Sequence, residues 1–445
     1  MARILTPRDY GLVGMITIFI AVSQSLIDSG FSQALIRKKD RSNKDNSTAF
    51  WFNIGVGIIL YFILFFCAPL IARFYNEPLL VKLTRFISLS IIINSFIMVQ
   101  RALLTANLDF KTQAKASLTA VAGSGALGLA LAYTGHGVWS IVWYQLANFG
   151  LNVFLIWIFS HWRPILTFSL KAFREMFGFG SKLAIAGIID TLYTNIYLIV
   201  IGKIFKASDL GYYTRAQQFA AFPSSNITSI LQRVTFPVLC QIQDEDERLT
   251  DVYRRFLRLS GFIVFPLMVG LSVLAKPLIL TILTPDWEFS ALLLSIICYG
   301  MMWYPIHSIN LNLLQVKGRS DLFLKLEFWK KGVGIGVLCI TIPLGLVAIC
   351  IGSVITSLIA LSINTYYTGK LIGFGFWKQM WDLFPTLLSS LGMGLIVYAV
   401  TLFFTPYWLK LIIGFLVGIV IYIGLHHLTG SKDLKFLISL IRRKG

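Results

Sequence analysis

Long apolar runs alternate with short polar stretches from one end of the chain to the other. An α-helix needs roughly 20 apolar residues to cross a hydrocarbon core ~30 Å thick. Runs of that length lie near 10–36, 47–72, 80–105, 114–134, 138–160, 179–201, 211–240, 256–283, 289–315, 324–345, 347–370, 383–404 and 406–426. The connections are short, and no stretch has the composition of a soluble domain. The pattern predicts an all-α polytopic membrane helix bundle of about thirteen spans.

The two halves repeat. Asp9 and Gly11 in the run 3–11 match Asp209 and Gly211 in the run 203–211, an offset of 200. Ala-Pro-Leu-Ile at 68–71 matches Lys-Pro-Leu-Ile at 276–279, an offset of 208, and Leu103–Leu104 matches Leu313–Leu314, an offset of 210. An offset that grows slowly and in order is what loop insertions in a duplicated bundle produce, and duplication is a common plan of secondary transporters. The run at 203–211 follows a span, whereas the run at 3–11 follows none. The expectation is two pseudo-symmetric six-helix lobes plus two C-terminal helices, with the first helix of the first lobe missing. A genuine thirteen-helix chain with an outer N-terminus is the alternative. The expected divisions are an N-terminal lobe at 1–160, a linker at 161–182, a C-terminal lobe at 183–370, and two further helices with a basic tail at 371–445.

Composition agrees: hydrophobic residues make up 56% of the chain and charged residues 13%. A net charge of +19 would suit nucleic acid, but its distribution follows the positive-inside rule. With 37–44 placed in the cytoplasm, 29 of the 39 Lys and Arg fall in inner loops and 10 in outer ones. No basic stripe with interleaved aromatics lies on a soluble element, so nucleic acid is not an expected partner. The orientation puts the C-terminus and Arg442, Arg443 and Lys444 in the cytoplasm. The five cysteines form no CxxC pair and read as packing residues.

Ionisable side chains inside spans cost on the order of 3 kcal/mol each unless paired or hydrated, so they are candidates for function. Gln24 and Asp28 share one face of the first span, followed by Gln33. Asp190 lies mid-span in 179–201, with Thr191, Thr194 and Asn195 beside it and Lys182 near the inner end. The span 211–240 is the most polar, with Arg215, Gln218, Ser225, Ser229, Gln232 and Arg233 along one broad stripe. Pro223 lies between its two cations and can free carbonyls to line a cavity. That stripe suits an anionic head group, or else a packed polar interface. Weaker sets are Asn94 with Arg101, Gln145 with Asn148 and Asn152, and His307 with Asn310. A lone histidine such as His307 is more often a packing residue than a proton relay.

Several motifs carry no chemistry. Gly123-x-Gly125-x-x-Gly128 lies in an apolar helix with no strand before it, where small residues let helices approach. The sequons Asn46-Ser47-Thr48 and Asn226-Ile227-Thr228 are expected in the cytoplasm and in the membrane. There is no Walker A loop, no HExxH and no serine hydrolase elbow, so neither ATP hydrolysis nor another enzymatic activity is expected, and no cofactor or metal.

The runs Ala2–Gly14, Asp28–Lys38, Asp209–Ala216 and Arg233–Pro237 resemble Wzx-type flippases of the multidrug/oligosaccharidyl-lipid/polysaccharide exporter superfamily, in the colanic-acid and teichuronic-acid exporter branch. Gly30-Phe31-Ser32-Gln33-Ala34 is also similar to the lipid II flippases of that superfamily. The resemblance implies two lobes in a V around a central cavity. It implies alternating access that flips an undecaprenyl-diphosphate-linked oligosaccharide across the bacterial inner membrane for surface polysaccharide export, coupled to a proton or sodium gradient. Implied partners are that lipid-linked oligosaccharide, membrane lipid, a polysaccharide polymerase and a chain-length regulator. On that reading Arg37, Arg101, Lys182, Arg215 and Arg233 hold the diphosphate, Asn and Gln residues such as Gln218 and Asn310 and aromatic residues such as Trp303 and Tyr304 contact the glycan, and Asp28 and Asp190 bind the coupling ion or pair with those arginines. A drug/cation antiporter of the same superfamily is the rival, but cations exceed acids near the spans. A membrane glycosyltransferase would carry a larger extramembrane loop. A truncated, inactive copy is the third alternative.

Overall fold

The computed structural model describes residues 1–28, 32, 35, 36, 41–160, 162–431 and 433–436, without the side chains of Asp28, Phe179, Lys182, Leu183 and Ser320. Contacts divide the chain into two compact units, Met1–Thr214 and Arg215–Gly445.

In the first unit, α1 (Pro7–Asp28) starts at a proline, which needs no N–H there. Thr6 and Asp9 lock its entry: Thr6 Oγ1 donates to Asp9 Oδ2 at 2.8 Å and the Thr6 N–H donates to the same oxygen at 2.9 Å. The next helix, α2 (Asn43–Tyr75), begins with a Ser42–Asp45 capping box and ends at Asn76 in the left-handed region. The third span is broken into α3 (Leu80–Ile87), α4 (Leu89–Ser95) and α5 (Met98–Ala106), with a bend of 43° between the last two. The carbonyl of Phe96, at that break, accepts from Trp157 Nε1 at 2.9 Å.

The hairpin of α6 (Phe110–Tyr133) and α7 (Val138–Phe159) shows what the glycines do. Ala116, Ala120, Ser124, Gly128 and Ala132 repeat every four residues and form the buried face of α6. A Cβ on Gly128 would meet Tyr144 Cβ at 2.9 Å, whereas one on Gly125 would meet nothing. A stripe of small residues therefore brings the two helices close, as membrane helices commonly do. The unit closes with α8 (Leu170–Thr194), which packs on α1, and α9 (Ile196–Ile204), bent by 46° from the latter part of α8. Ser47 and Thr48 of the first sequon are fully buried, and their hydroxyls accept the N–H groups of Ile165 and Ser169 at 3.0 Å each.

The helix α10 (Ala207–Gln241) runs from the first unit into the second. The rest of the second unit comprises α11 (Asp246–Val273), α12 (Ala275–Ile282), α13 (Glu288–Met301), α14 (Tyr304–Val316), α15 (Ser320–Thr341), α16 (Leu346–Ile372), α17 (Phe376–Leu402) and α18 (Tyr407–Leu428), with 3-10 turns at Pro285–Trp287 and Ile342–Leu344. The break between α13 and α14 at Met302–Trp303 answers the break at Phe96–Ile97 in the first half, an offset of 206. Its carbonyls are satisfied from neighbouring helices: Ser224 Oγ donates to Met301 O at 2.7 Å and Ser357 Oγ to Gly300 O at 3.0 Å.

Among the described residues nine helices are long and apolar enough to span a membrane, or eleven when each bent pair counts as one span. The other two of the thirteen predicted spans correspond to α10 and α15, helices of 35 and 22 residues. They are long enough but too polar: α10 carries the polar stripe, and α15 carries Lys325, Glu327, Lys330 and Lys331.

Candidate functional site

The part of α10 from Arg215 onwards has a buried side and an exposed one, on which polar side chains alternate with Phe222, Ile230, Val234 and Phe236. Ala216, Ala220, Ser224, Thr228, Thr235 and Leu239 are buried. Gln218, Ser225, Asn226, Ser229, Gln232 and Arg233 are exposed, and Arg215 is half-buried. Hydrogen bonds anchor the buried face, from Ser224 to α13 as above and from Asn312 Nδ2 to Thr235 Oγ1 at 3.4 Å. Gln232 Nε2 donates to Ser308 Oγ. Arg215 Nη1 donates to Gln218 Oε1 at 2.7 Å, which orients the guanidinium along the exposed face. Five exposed hydrogen-bonding side chains lie between the two cations; Ser225, Asn226 and Ser229 also bond carbonyls of their own helix, and the capacity left over suits water or a polar ligand better than lipid tails.

Behind this face lies a buried polar cluster. Asn310 is fully buried and exchanges two bonds of 3.1 Å with Gln379, Nδ2 to Oε1 and Nε2 to Oδ1. Thr368 Oγ1 donates to Asn310 Oδ1 at 2.8 Å, and Gln379 Nε2 also donates to Phe374 O at 3.0 Å. Asn310 therefore ties α14 to α16 and α17 and is closed to a ligand in this conformation. One helix turn away, His307 Nδ1 accepts from Asn364 Nδ2 at 3.1 Å. Its Nε2–H donates to Ser357 Oγ at 3.1 Å, since the Ser357 proton is committed to Gly300 O. Both ring nitrogens are therefore held by neighbouring side chains, as befits a packing residue.

The other expected residues lie in the first unit or outside the described residues. Arg101, on α5, donates from Nη2 to Asn152 Oδ1 at 3.0 Å inside the first unit. Asp190 is exposed on α8 in the same unit, and its carbonyl accepts from Thr194 Oγ1 at 2.8 Å. Arg37 and the side chains of Asp28 and Lys182 lie outside the described residues. Among the described candidates, Arg215 and Gln218 are in hydrogen-bonding contact with each other. The partners of Asn310 were missed in the sequence. Asn364 and Thr368, four apart in a span, were the available signal; Gln379 lies in a loop-like stretch and gave none.

Outside the spans two carboxylates are tuned by their neighbours. The Arg319 guanidinium forks onto Asp321 at 2.9 and 2.8 Å and holds its carboxyl down at about 2. Hydrogen bonds from Thr112 lower Asp109, which caps α6. Among the described residues no group of three or more His, Cys, Asp or Glu side chains could hold a metal ion.

A family model described as "Polysaccharide biosynthesis protein" matches residues 1–292. The chain is 25% identical over 408 residues to the lipopolysaccharide biosynthesis protein WzxC of Escherichia coli, covering 89% of this chain and 83% of that one. It is 25% identical over 387 residues to the teichuronic acid biosynthesis protein TuaB of Bacillus subtilis, covering 85% and 79%. In fold it is similar to the lipid II flippase MurJ in an inward closed conformation, with a TM-score of 0.77 at 17% identity over 95% of this chain and 96% of that one. It is also similar to an inward-facing MATE multidrug transporter, with a TM-score of 0.65 at 15% identity over 82% and 92%. At these identities the two solved structures speak to the fold alone.

Proposed function

Because the chain belongs to the polysaccharide biosynthesis protein family, a family of multi-pass membrane transporters, we propose that it flips an undecaprenyl-diphosphate-linked oligosaccharide repeat unit from the inner to the outer leaflet of a bacterial plasma membrane. The observation that carries this reading is the exposed polar face of α10. Arg215 and Arg233 are 18 residues apart, roughly 27 Å along a helix, close to the ~30 Å hydrocarbon thickness. A diphosphate can pass from one guanidinium toward the other while the glycan bonds the Gln, Ser and Asn side chains between them, and the polyprenyl tail stays in lipid. Cations on such a path favour an anionic substrate over a cationic drug.

The same reading assigns Asp28 and Asp190 to the coupling of a proton or sodium gradient, Arg37, Arg101 and Lys182 to the diphosphate, and the basic tail to the cytoplasm. It gives the transporter a polysaccharide polymerase and a chain-length regulator as downstream partners. Asn310 has no part in substrate contact on this reading, because its amide is fully engaged.

The test is to delete the gene in cells whose first sugar transfer is held off until induction, and then to extract lipids. Accumulation of a lipid-diphosphate-linked repeat unit on the cytoplasmic side is the expected result. Unchanged surface glycan with no accumulated precursor would contradict it.

A further inference from the structure

The chain turns from α16 into α17 through Gly373, at φ 67°. Around this turn the second unit holds an open cavity of about 680 Å³. Its polar wall is held by a two-bond ion pair. Arg254 of α11 forks onto Asp382 of α17 through Nε–Oδ2 and Nη2–Oδ1 bonds, both 2.9 Å. That pairing fixes the guanidinium plane and uses two of its five N–H donors. Both line the cavity, but Asp382 is 11% exposed and the Arg254 side chain 40%, so the cation is the more accessible partner. Lys378 is exposed on the first turn of α17 and bonds Gly373 O at 2.8 Å. With Arg254 neutralised by Asp382, the charge of Lys378 leaves the wall net positive.

The rim is aromatic. Trp377 and Trp381, one turn apart on α17, are 82% and 81% exposed. Two bare indoles beside basic side chains at the end of a membrane helix belong at headgroup depth, where the apolar ring meets lipid and the N–H meets water. A neutral sugar could stack on the indoles but would leave the two cations without a role.

The geometry points to a binding site for the phosphoryl headgroup of an anionic glycerophospholipid. The phosphate rests between Lys378 and the outward N–H groups of Arg254, and Trp377 and Trp381 flank the glycerol and upper acyl chains. This inference does not depend on the substrate proposed above; it makes the second unit responsive to resident lipid.

Native mass spectrometry of the purified full chain in detergent tests it, with dioleoyl-phosphatidylglycerol or dioleoyl-phosphatidylcholine added. Lys378→Gln removes the wall cation that has no carboxylate partner among the described residues and leaves the Arg254–Asp382 fork intact; Lys410→Gln, elsewhere on the second unit, is the charge control. The first bound phosphatidylglycerol is expected to weaken about fivefold in Lys378→Gln, the ratio that about 1 kcal/mol per basic residue near anionic lipid gives. Phosphatidylcholine binding and Lys410→Gln should be unaffected. Trp377→Ala should weaken both lipids alike. Equal phosphatidylglycerol binding by wild type and Lys378→Gln overturns the proposal. So does displacement of the lipid by millimolar inorganic phosphate, which would mark a free-anion site. Preferential displacement by undecaprenyl phosphate would assign the pocket to the polyprenyl carrier and overturn it too.

Discussion

Gly11 and Gly211 hold each other's helices together. A Cβ on Gly11 would lie 1.6 Å from the carbonyl oxygen of Ala207, and one on Gly211 would lie 1.9 Å from that of Pro7. Residues 7 and 207 differ by 200, as do 11 and 211, so the contact is reciprocal between the two repeats. The caps repeat as well: Asp9 Oδ2 accepts the Thr6 N–H at 2.9 Å, and Asp209 Oδ2 accepts that of Lys206 at 3.1 Å. Two helix starts cross backbone to backbone, and only glycine leaves room for the crossing.

Gly11→Ala and Gly211→Ala should each destabilise the protein by about 3 kcal/mol or more, because the obstacle is backbone and cannot swing away. Gly55→Ala and Gly150→Ala, with nothing within 4 Å of the added carbon, should be neutral or slightly stabilising through helix propensity. Thermal unfolding of the four variants in one detergent checks this; equal effects at all four positions would refute the crossing.

That crossing shows how much was legible beforehand. Asp9, Gly11 and their partners were visible as a repeat, because a duplicated sequence keeps its offset. The apolar runs gave the helices, since span length is set by bilayer thickness. The polar stripe of α10 was visible at helical spacing. What the pattern could not give was which polar residues point at one another. Asn310 reads as a cavity residue in sequence, yet Gln379, 69 positions away, closes its amide completely. A pairing between distant helices leaves no periodicity in either of them. The small-residue face of α6 was half legible: the glycine spacing stood out, but the working stripe is the four-residue repeat from Ala116 to Ala132.

Removing Asn310 should therefore harm the fold before it harms transport. Asn310→Ala strands Gln379 and Thr368 in a buried site, and should cost about 2–3 kcal/mol. A double-mutant cycle with Gln379→Ala should recover on the order of 1 kcal/mol, because the second change removes the orphaned partner. Additive losses in unfolding experiments would contradict the closed pair.

The arginines of α10 should behave in the opposite way. Arg215→Gln and Arg233→Gln leave exposed or half-buried positions polar, so protein level and thermal stability should hold. Each loses a charge-assisted bond worth roughly 1.5–3 kcal/mol to a phosphate, which corresponds to a fall in export of about 10- to 100-fold. Surface glycan measured against protein level separates this outcome from misfolding, and full export by the double variant would remove both residues from the path.

The Arg319–Asp321 fork sets a pH dependence. Its folded carboxyl titrates at about 2, below the ordinary value of about 3.9. The fork therefore adds stability that is fully present above pH ~4 and is lost as pH falls through about 2. The difference in unfolding temperature between wild type and Arg319→Gln should be flat at higher pH and shrink across that window; a difference independent of pH would show that the fork does not survive in solution.

The most direct measurement is flipping itself. The purified chain is reconstituted into liposomes that carry a fluorescent undecaprenyl-diphosphate-linked oligosaccharide in both leaflets, and an impermeant quencher is added outside. With an imposed ion gradient, wild-type vesicles should lose nearly all fluorescence, while protein-free vesicles and vesicles with Arg215→Gln/Arg233→Gln should stop near half. Quenching that stops at half with the wild-type chain, under gradients of either proton or sodium, would contradict a lipid-linked oligosaccharide flippase.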